Sequence, residues 1–253
     1  MQARRLPAQR GAFWLVAGYR LFRRNPPLLT ALTLTYLLVV QLGLRLAPEA
    51  GPFLLPLALP AMVLIVANGA RIAEQGNRLL PGSLLHGIKG NGVPMLRLGG
   101  LHLLGAFMFI GIVTLLENGG LHFSDFEKAD DPELMPTLLR LLLIAIPFLM
   151  AFLFPPYLTG WDGVPAAKAV FFSFVACIRN WRALIAYLLA IGAFAVVVPG
   201  LVLLLAGLFS PAAAQVAQLV VRVLMVFLLA PVLSASVYAG YRDIFHPPTD
   251  EHA

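Results

Sequence analysis

Charged residues divide this chain into long uncharged intervals. Arg24 to Arg45 encloses 20 uncharged residues, Glu49 to Arg71 encloses 21, Arg97 to Glu117 encloses 19 and Arg140 to Asp162 encloses 21. Arg182 to Arg222 encloses 39, and Arg222 to Arg242 encloses 19. A helix needs about 20 apolar residues to cross the hydrocarbon core of a bilayer. Each shorter interval therefore predicts one span, and the longest predicts a span plus a turn at Ser210-Pro211. Six helices follow, over residues 27–46, 52–73, 95–116, 138–159, 183–207 and 218–241.

Before the first, third and fifth spans the pattern becomes amphipathic. In residues 11–24, Arg20, Arg23 and Arg24 share an arc of about 100° on a helix, opposite Trp14, Leu15, Leu21 and Phe22. This predicts a short basic helix lying at the membrane interface. Residues 164–181 repeat the pattern, with Pro165 near the helix start and Lys168 and Arg179 on one face. Residues 79–91 give a weaker, glycine-broken version.

Each of these segments ends in a basic residue and an asparagine: Arg24-Asn25, Lys89 with Asn91, and Arg179-Asn180. Each is followed by two spans. The closing spans of the first and third sets share one spacing, Pro60-Gly69-Arg71 and Pro231-Gly240-Arg242. The middle set keeps the proline, as Pro155-Pro156, without the Gly-x-Arg ending. The expected architecture is an all-α membrane protein, a single membrane domain over 1–253. Its six transmembrane helices form three parallel repeats of interfacial helix plus transmembrane hairpin, roughly 11–75, 79–160 and 164–246.

Composition agrees with a lipid solvent: 60% of the residues are hydrophobic and only 12% charged, about half the usual charged share of a soluble domain. The 22 glycines and 20 prolines are tolerated where neighbouring helices re-satisfy freed backbone groups. A single cysteine, Cys177, excludes an intrachain disulfide. Arg4, Arg5 and Arg10 resemble the charged start of a signal peptide, but Arg20, Arg23 and Arg24 interrupt the apolar stretch, so no cleaved signal is expected.

The net charge of +6 is spread over short inter-span segments, which argues against nucleic acid as a partner. It serves as a topology signal instead. With six spans, the side holding both termini carries 14 of the 18 Lys and Arg residues. The positive-inside rule then places N- and C-termini in the cytoplasm of an inner-membrane, multi-pass protein.

Candidate chemistry is sparse. No Asp, Glu, Lys or Arg lies at the centre of a span, whereas ion-coupled transporters and intramembrane enzymes usually place one there. Arg140 and Arg222 fall near the outer interface. His102 is the one histidine within a span, and no second span offers it a partner histidine. The outer segment from Glu117 to Glu133 carries a net charge of −5 without EF-hand spacing; a solvated acidic loop, a cation site and a docking surface for a basic partner all stay open. Ser173 and Cys177 have no His or Asp arranged near them in sequence. No catalytic, cofactor or metal motif is found, and no enzyme activity is expected.

Three structural sets remain. Ala183, Ala186, Ala190 and Ala193 form a small-residue stripe for close helix packing. Pro60, Pro155 and Pro231 are candidate kinks. Arg20, Arg23, Arg24, Lys168, Arg179 and Arg182 are candidate contacts for anionic phospholipid.

The run from Trp161 to Trp181, with Gly163-Val-Pro-Ala-Ala-Lys168-Ala-Val-Phe-Phe-Ser173 before Cys177 and Arg179-Asn180, resembles a signature of an uncharacterised family of betaproteobacterial six-span inner-membrane proteins. The resemblance extends over most of the chain in span order, including the N-terminal Trp14 and Tyr19-Arg20 helix. It implies location and fold, and no activity. More distantly, the layout is similar to the membrane region of some glycerophosphodiester phosphodiesterases, whose catalytic domain this chain lacks.

The expected function is that of a non-enzymatic accessory or scaffold protein, or a lipid-interacting bundle. Its partners would be the lipid bilayer, anionic phospholipid and a second membrane-protein subunit. The alternative is a transporter or channel for a neutral or lipid-like solute, which would favour a pore lined by Thr30, Thr33, Asn68, Ser234 and Ser236.

Overall fold

The computed structural model describes residues 3–80, 82–116 and 134–246, and those residues contain helices and no strands. The acidic outer segment, Glu117 to Glu133, therefore lies outside the described residues. Eleven α-helices occur among the described residues: α1 (Gln9–Arg24), α2 (Pro26–Leu46), α3 (Gly51–Gln75), α4 (Gly92–Leu116), α5 (Leu134–Phe152), α6 (Pro155–Gly160), α7 (Ala166–Arg179), α8 (Trp181–Gly192), α9 (Val198–Phe209), α10 (Pro211–Leu224) and α11 (Ala230–Phe245). They build six spans: Pro26–Leu46, Gly51–Gln75, Gly92–Leu116, Met135–Gly160, Trp181–Phe209 and Pro211–Phe245. The expected boundaries hold to within a few residues, except that the last span begins at Pro211. Ser210 explains that start, because its hydroxyl accepts a hydrogen bond from Ala213 N at 3.1 Å and caps the helix.

Leu115, Leu204 and Phe209 are 81%, 62% and 86% exposed, an outward face that only lipid accommodates. The first and last described stretches meet at one end of the bundle, the terminal end, where Arg4 N donates to Ile244 O at 3.0 Å.

The three prolines are accommodated in three ways. Pro60 sits inside an unbroken α3. Pro155 follows a break between α5 and α6. There the Ser173 hydroxyl donates to Met150 O at 2.7 Å and accepts from Phe154 N at 3.2 Å. It bridges a pair that a continuous helix would join directly. Pro231 follows a π-helical turn, Met225–Leu229, and the Thr30 hydroxyl donates to Phe227 O at 3.4 Å. That carbonyl lies four residues before a proline with no N–H to offer it. A second π-turn, Ala193–Val197, precedes Pro199 between α8 and α9.

The interfacial segments differ from expectation in one place. α1 and α7 are helices, but residues 83–91 form only a 3₁₀ turn, Ser83–Leu85, followed by turns. Gly82 and Gly87, at φ +85° and +80°, adopt left-handed backbone that ends any helix there. Nor do these segments merely rest on the bundle. α1 packs on α8 and α11, the 3₁₀ segment packs on α3, and α7 packs on α4, α5 and α6. The segment before the third span thus seats on the second span, the one before the fifth span seats on the third and fourth, and α1 seats on the last two. Close approach makes this possible: a Cβ on Gly11 would collide with the Ala183 carbonyl, and one on Gly18 would stand 2.5 Å from Val232 O.

Candidate functional site

Long helices carry polar groups to the terminal end. The last span, at 35 residues, is about 52 Å long, well beyond the hydrocarbon thickness. Its final turns hold Tyr238, Tyr241, Arg242 and Asp243, and the last turns of α3 hold Asn68, Arg71 and Glu74. Trp161 and Asp162 arrive from the end of α6.

These groups form a layered network. Asn68 is fully buried. Its Nδ2 donates to the carbonyls of Leu84 and His86 at 2.8 and 2.9 Å, and its Oδ1 accepts from Trp161 Nε1 at 3.0 Å. The indole so fixed carries the Arg71 guanidinium over its ring at 5.4 Å, a favourable cation–π geometry. Three carboxylates surround this platform, and protein donors engage each. Asp162 accepts from the Tyr241 hydroxyl and pairs with His246 Nε2 at 3.0 Å. Glu74 accepts from Tyr238 OH at 2.7 Å and pairs with Arg242. Asp243 accepts two hydrogen bonds from Arg10, which hold the guanidinium pKa above its ordinary value, and one from Trp14 Nε1 at 2.9 Å. Among the described residues Arg71 has no carboxylate partner.

A pocket of about 270 Å³ opens here, lined by Arg71, His86, Asp162, Tyr238, Tyr241 and Arg242, with Trp161 and His246 completing the wall. A second, apolar cavity of about 650 Å³ lies between α2, α3, α4, α5, α6 and α11. Phe109, Phe148, Phe152 and Val63 are typical of its wall; Tyr36, His102, Tyr157 and Ser234 are its polar members. His102 Nδ1 lies 3.0 Å from Leu98 O, and its ring stacks on Phe152 at 4.3 Å. Tyr157 is 2% exposed, and its hydroxyl makes no hydrogen bond among the described residues. Its ring packs on Tyr241 at 5.0 Å and so forms the wall between cavity and pocket.

The sequence-derived candidates fall as follows. Arg20, Arg23, Arg24, Lys168, Arg179 and Arg182 are all exposed, and Arg24 Nη1 donates to Glu74 O at 2.6 Å. Ala183 is buried against α1, Ala186 and Ala190 are half-buried, and Ala193 is exposed at the π-turn. Of the five pore candidates, Ser234 alone lines the large cavity. Thr33 is buried without a partner for its hydroxyl, and Ser236 meets Tyr187 OH at 2.5 Å. Ser173 and Cys177 serve the Pro155 break, where Cys177 Sγ reaches Met150 O at 3.5 Å and burial pushes its thiol pKa up to about 12. No group of three or more His, Cys, Asp or Glu that would hold a metal exists among the described residues.

The pocket itself escaped the sequence reading, although one signal pointed to it. Arg71 and Arg242, paired there by their shared Pro–Gly–Arg spacing, line the same pocket.

A probable inner membrane protein of Burkholderia thailandensis is 31% identical over 258 residues, an alignment covering 97% of this chain and 94% of the relative. No family model matches the chain, so the distant likeness to phosphodiesterase membrane regions gains no support. No solved structure matches either.

Proposed function

From a chain that belongs to the family of this probable inner membrane protein, and is thus an integral, multi-pass protein of the inner membrane, we propose a non-enzymatic lipid-interacting bundle that acts as an accessory or scaffold. The observation that carries this reading is the apolar cavity of about 650 Å³ lined by six helices. A single acyl or isoprenoid chain fits the chemistry of its wall, which it would meet by van der Waals packing, as apolar surfaces meet within a bilayer. The isolated Tyr157 hydroxyl offers one hydrogen bond to a polar group on that chain.

Outside the cavity, the exposed Arg20, Arg23, Arg24, Lys168, Arg179 and Arg182 would attract anionic phospholipid, each by about 1 kcal/mol near a charged leaflet. Transport of a neutral or lipid-like solute is the alternative; of the residues expected to line a pore for it, Thr30, Thr33, Asn68 and Ser236 do not line the cavity.

Native mass spectrometry from mild detergent tests the reading. The parent protein should retain lipid, and Ala145→Phe and Ala106→Phe, which fill the cavity, should release it. Equal lipid retention in folded parent and variants would refute a chain site there.

A further inference from the structure

We propose that the pocket between Arg71, Trp161, Tyr241 and Arg242 is a binding site for a phosphate ester. The case starts from charge. The 270 Å³ pocket shares Arg71 and His86 with a neighbouring cleft of about 610 Å³ that adds Arg78. It shares Arg242 and His246 with another of about 330 Å³ that adds Arg10, Arg20 and Arg24. Together the three hold six arginines against three carboxylates, Glu74, Asp162 and Asp243, a net of +3 with histidines neutral. Each carboxylate is already engaged by protein donors, so the surplus is not consumed internally.

Geometry sharpens this into a site. Arg71 stands on an indole held by a buried asparagine, itself held by two backbone carbonyls. Its planar fork of N–H donors is therefore pre-positioned, and such forks match the oxygen spacing of phosphate better than a point charge does. Arg242 and His86 line the same pocket and supply further donors to a tetrahedral anion.

Two sources of phosphate ester fit: a phospholipid headgroup or a soluble phosphate compound. Ala67 lines the apolar cavity and Arg71 the polar pocket, four residues apart on α3; Val237 and Tyr241 repeat that spacing on α11. About 6 Å along the helices separates the two compartments, across the packed Tyr157 and Tyr241 rings. A phospholipid with its headgroup in the pocket and a chain in the cavity requires those rings to part; a soluble phosphate ester does not. The lipid source rests on the chain-binding reading above; the anion site does not.

The test uses the full-length protein in a neutral detergent at fixed ionic strength, with two probes: glycerol 3-phosphate, and a diacyl phosphatidic acid. Saturable thermal stabilisation by at least one probe is expected, with binding weakened tenfold or more in Arg71→Gln and less in Arg71→Lys. Should Arg71→Gln fail to fold, His86→Ala, at an exposed loop residue, should weaken binding in its place. Arg97→Gln, at an exposed arginine outside the pocket, its neighbouring clefts and the lipid-contact set, should bind as the parent does. Tighter phosphatidic acid binding that Ala145→Phe selectively weakens assigns a lipid headgroup. Equal response to both probes, unaffected by Ala145→Phe, assigns soluble phosphate and leaves the anion site standing without the chain site. Absence of saturable binding by either probe, or binding that Arg71→Gln and His86→Ala leave unchanged, overturns the proposal.

Discussion

Arg10 and Asp243 join the first helix of the chain to the last, through hydrogen bonds of 2.8 Å from Nε and 2.6 Å from Nη2. Arg10 is 47% exposed and Asp243 only 8%, so each loss strands a different group. Arg10→Gln takes the cation from a buried carboxylate that keeps only its Trp14 donor, and should cost about 1–3 kcal/mol. Asp243→Ala leaves Arg10 to water but strands the buried Trp14 Nε1 donor, and should also cost about 1–3 kcal/mol. Thermal unfolding in detergent measures both; an unchanged melting temperature in Asp243→Ala would mean that Trp14 finds another acceptor.

The alanine stripe of the fifth span should divide by position. Ala183→Leu forces side-chain volume against the backbone of Gly11 and should cost about 1–3 kcal/mol. Ala193→Leu, at an exposed site, should leave the melting temperature unchanged. If the two variants melt alike, α1 does not seat on α8 as described.

Cys177 should be inert in the folded protein. It is fully buried, and desolvation raises its thiol pKa to about 12. A maleimide at pH 8 should label it only after unfolding. The sign for stability follows: because the folded pKa lies above the unfolded value, the contribution is intact below about pH 9. It declines as the pH rises from there towards 12. Cys177→Ala should flatten that decline in a melting-temperature series across this range.

Orientation is tested by fusions. Alkaline phosphatase, active only outside the cytoplasm, should be active when joined at Asp125 and inactive at Arg78, Lys168 or the C-terminus. An active C-terminal fusion would reverse the expected topology.

The spans were legible because a charge within the hydrocarbon is so costly that charges mark its edges. The polar pocket was not, because Asn68, His86, Trp161 and Tyr241 come from four distant stretches. Each looks unremarkable where it stands, as an end-of-span polar or aromatic residue. Arg71 and Arg242 did leave a trace in their common spacing, but spacing along a chain does not reveal that two helix ends converge. The π-turns before Pro199 and Pro231 were equally hidden, since the hydrogen-bond shift that makes them leaves apolar composition untouched. At residues 83–91 the glycines were visible, and their left-handed backbone reduced an expected helix to a turn.

The seating of α1 on α8 and α11 has a consequence for biogenesis. The ribosome makes α1 first, yet its docking surface is made last. Until the final hairpin enters the membrane, Trp14 and Leu15 lack the neighbours that bury them, and Arg10 lacks Asp243. α1 therefore completes its packing only after α8 and α11 are in place, so the burial of Trp14 couples early and late parts of the chain.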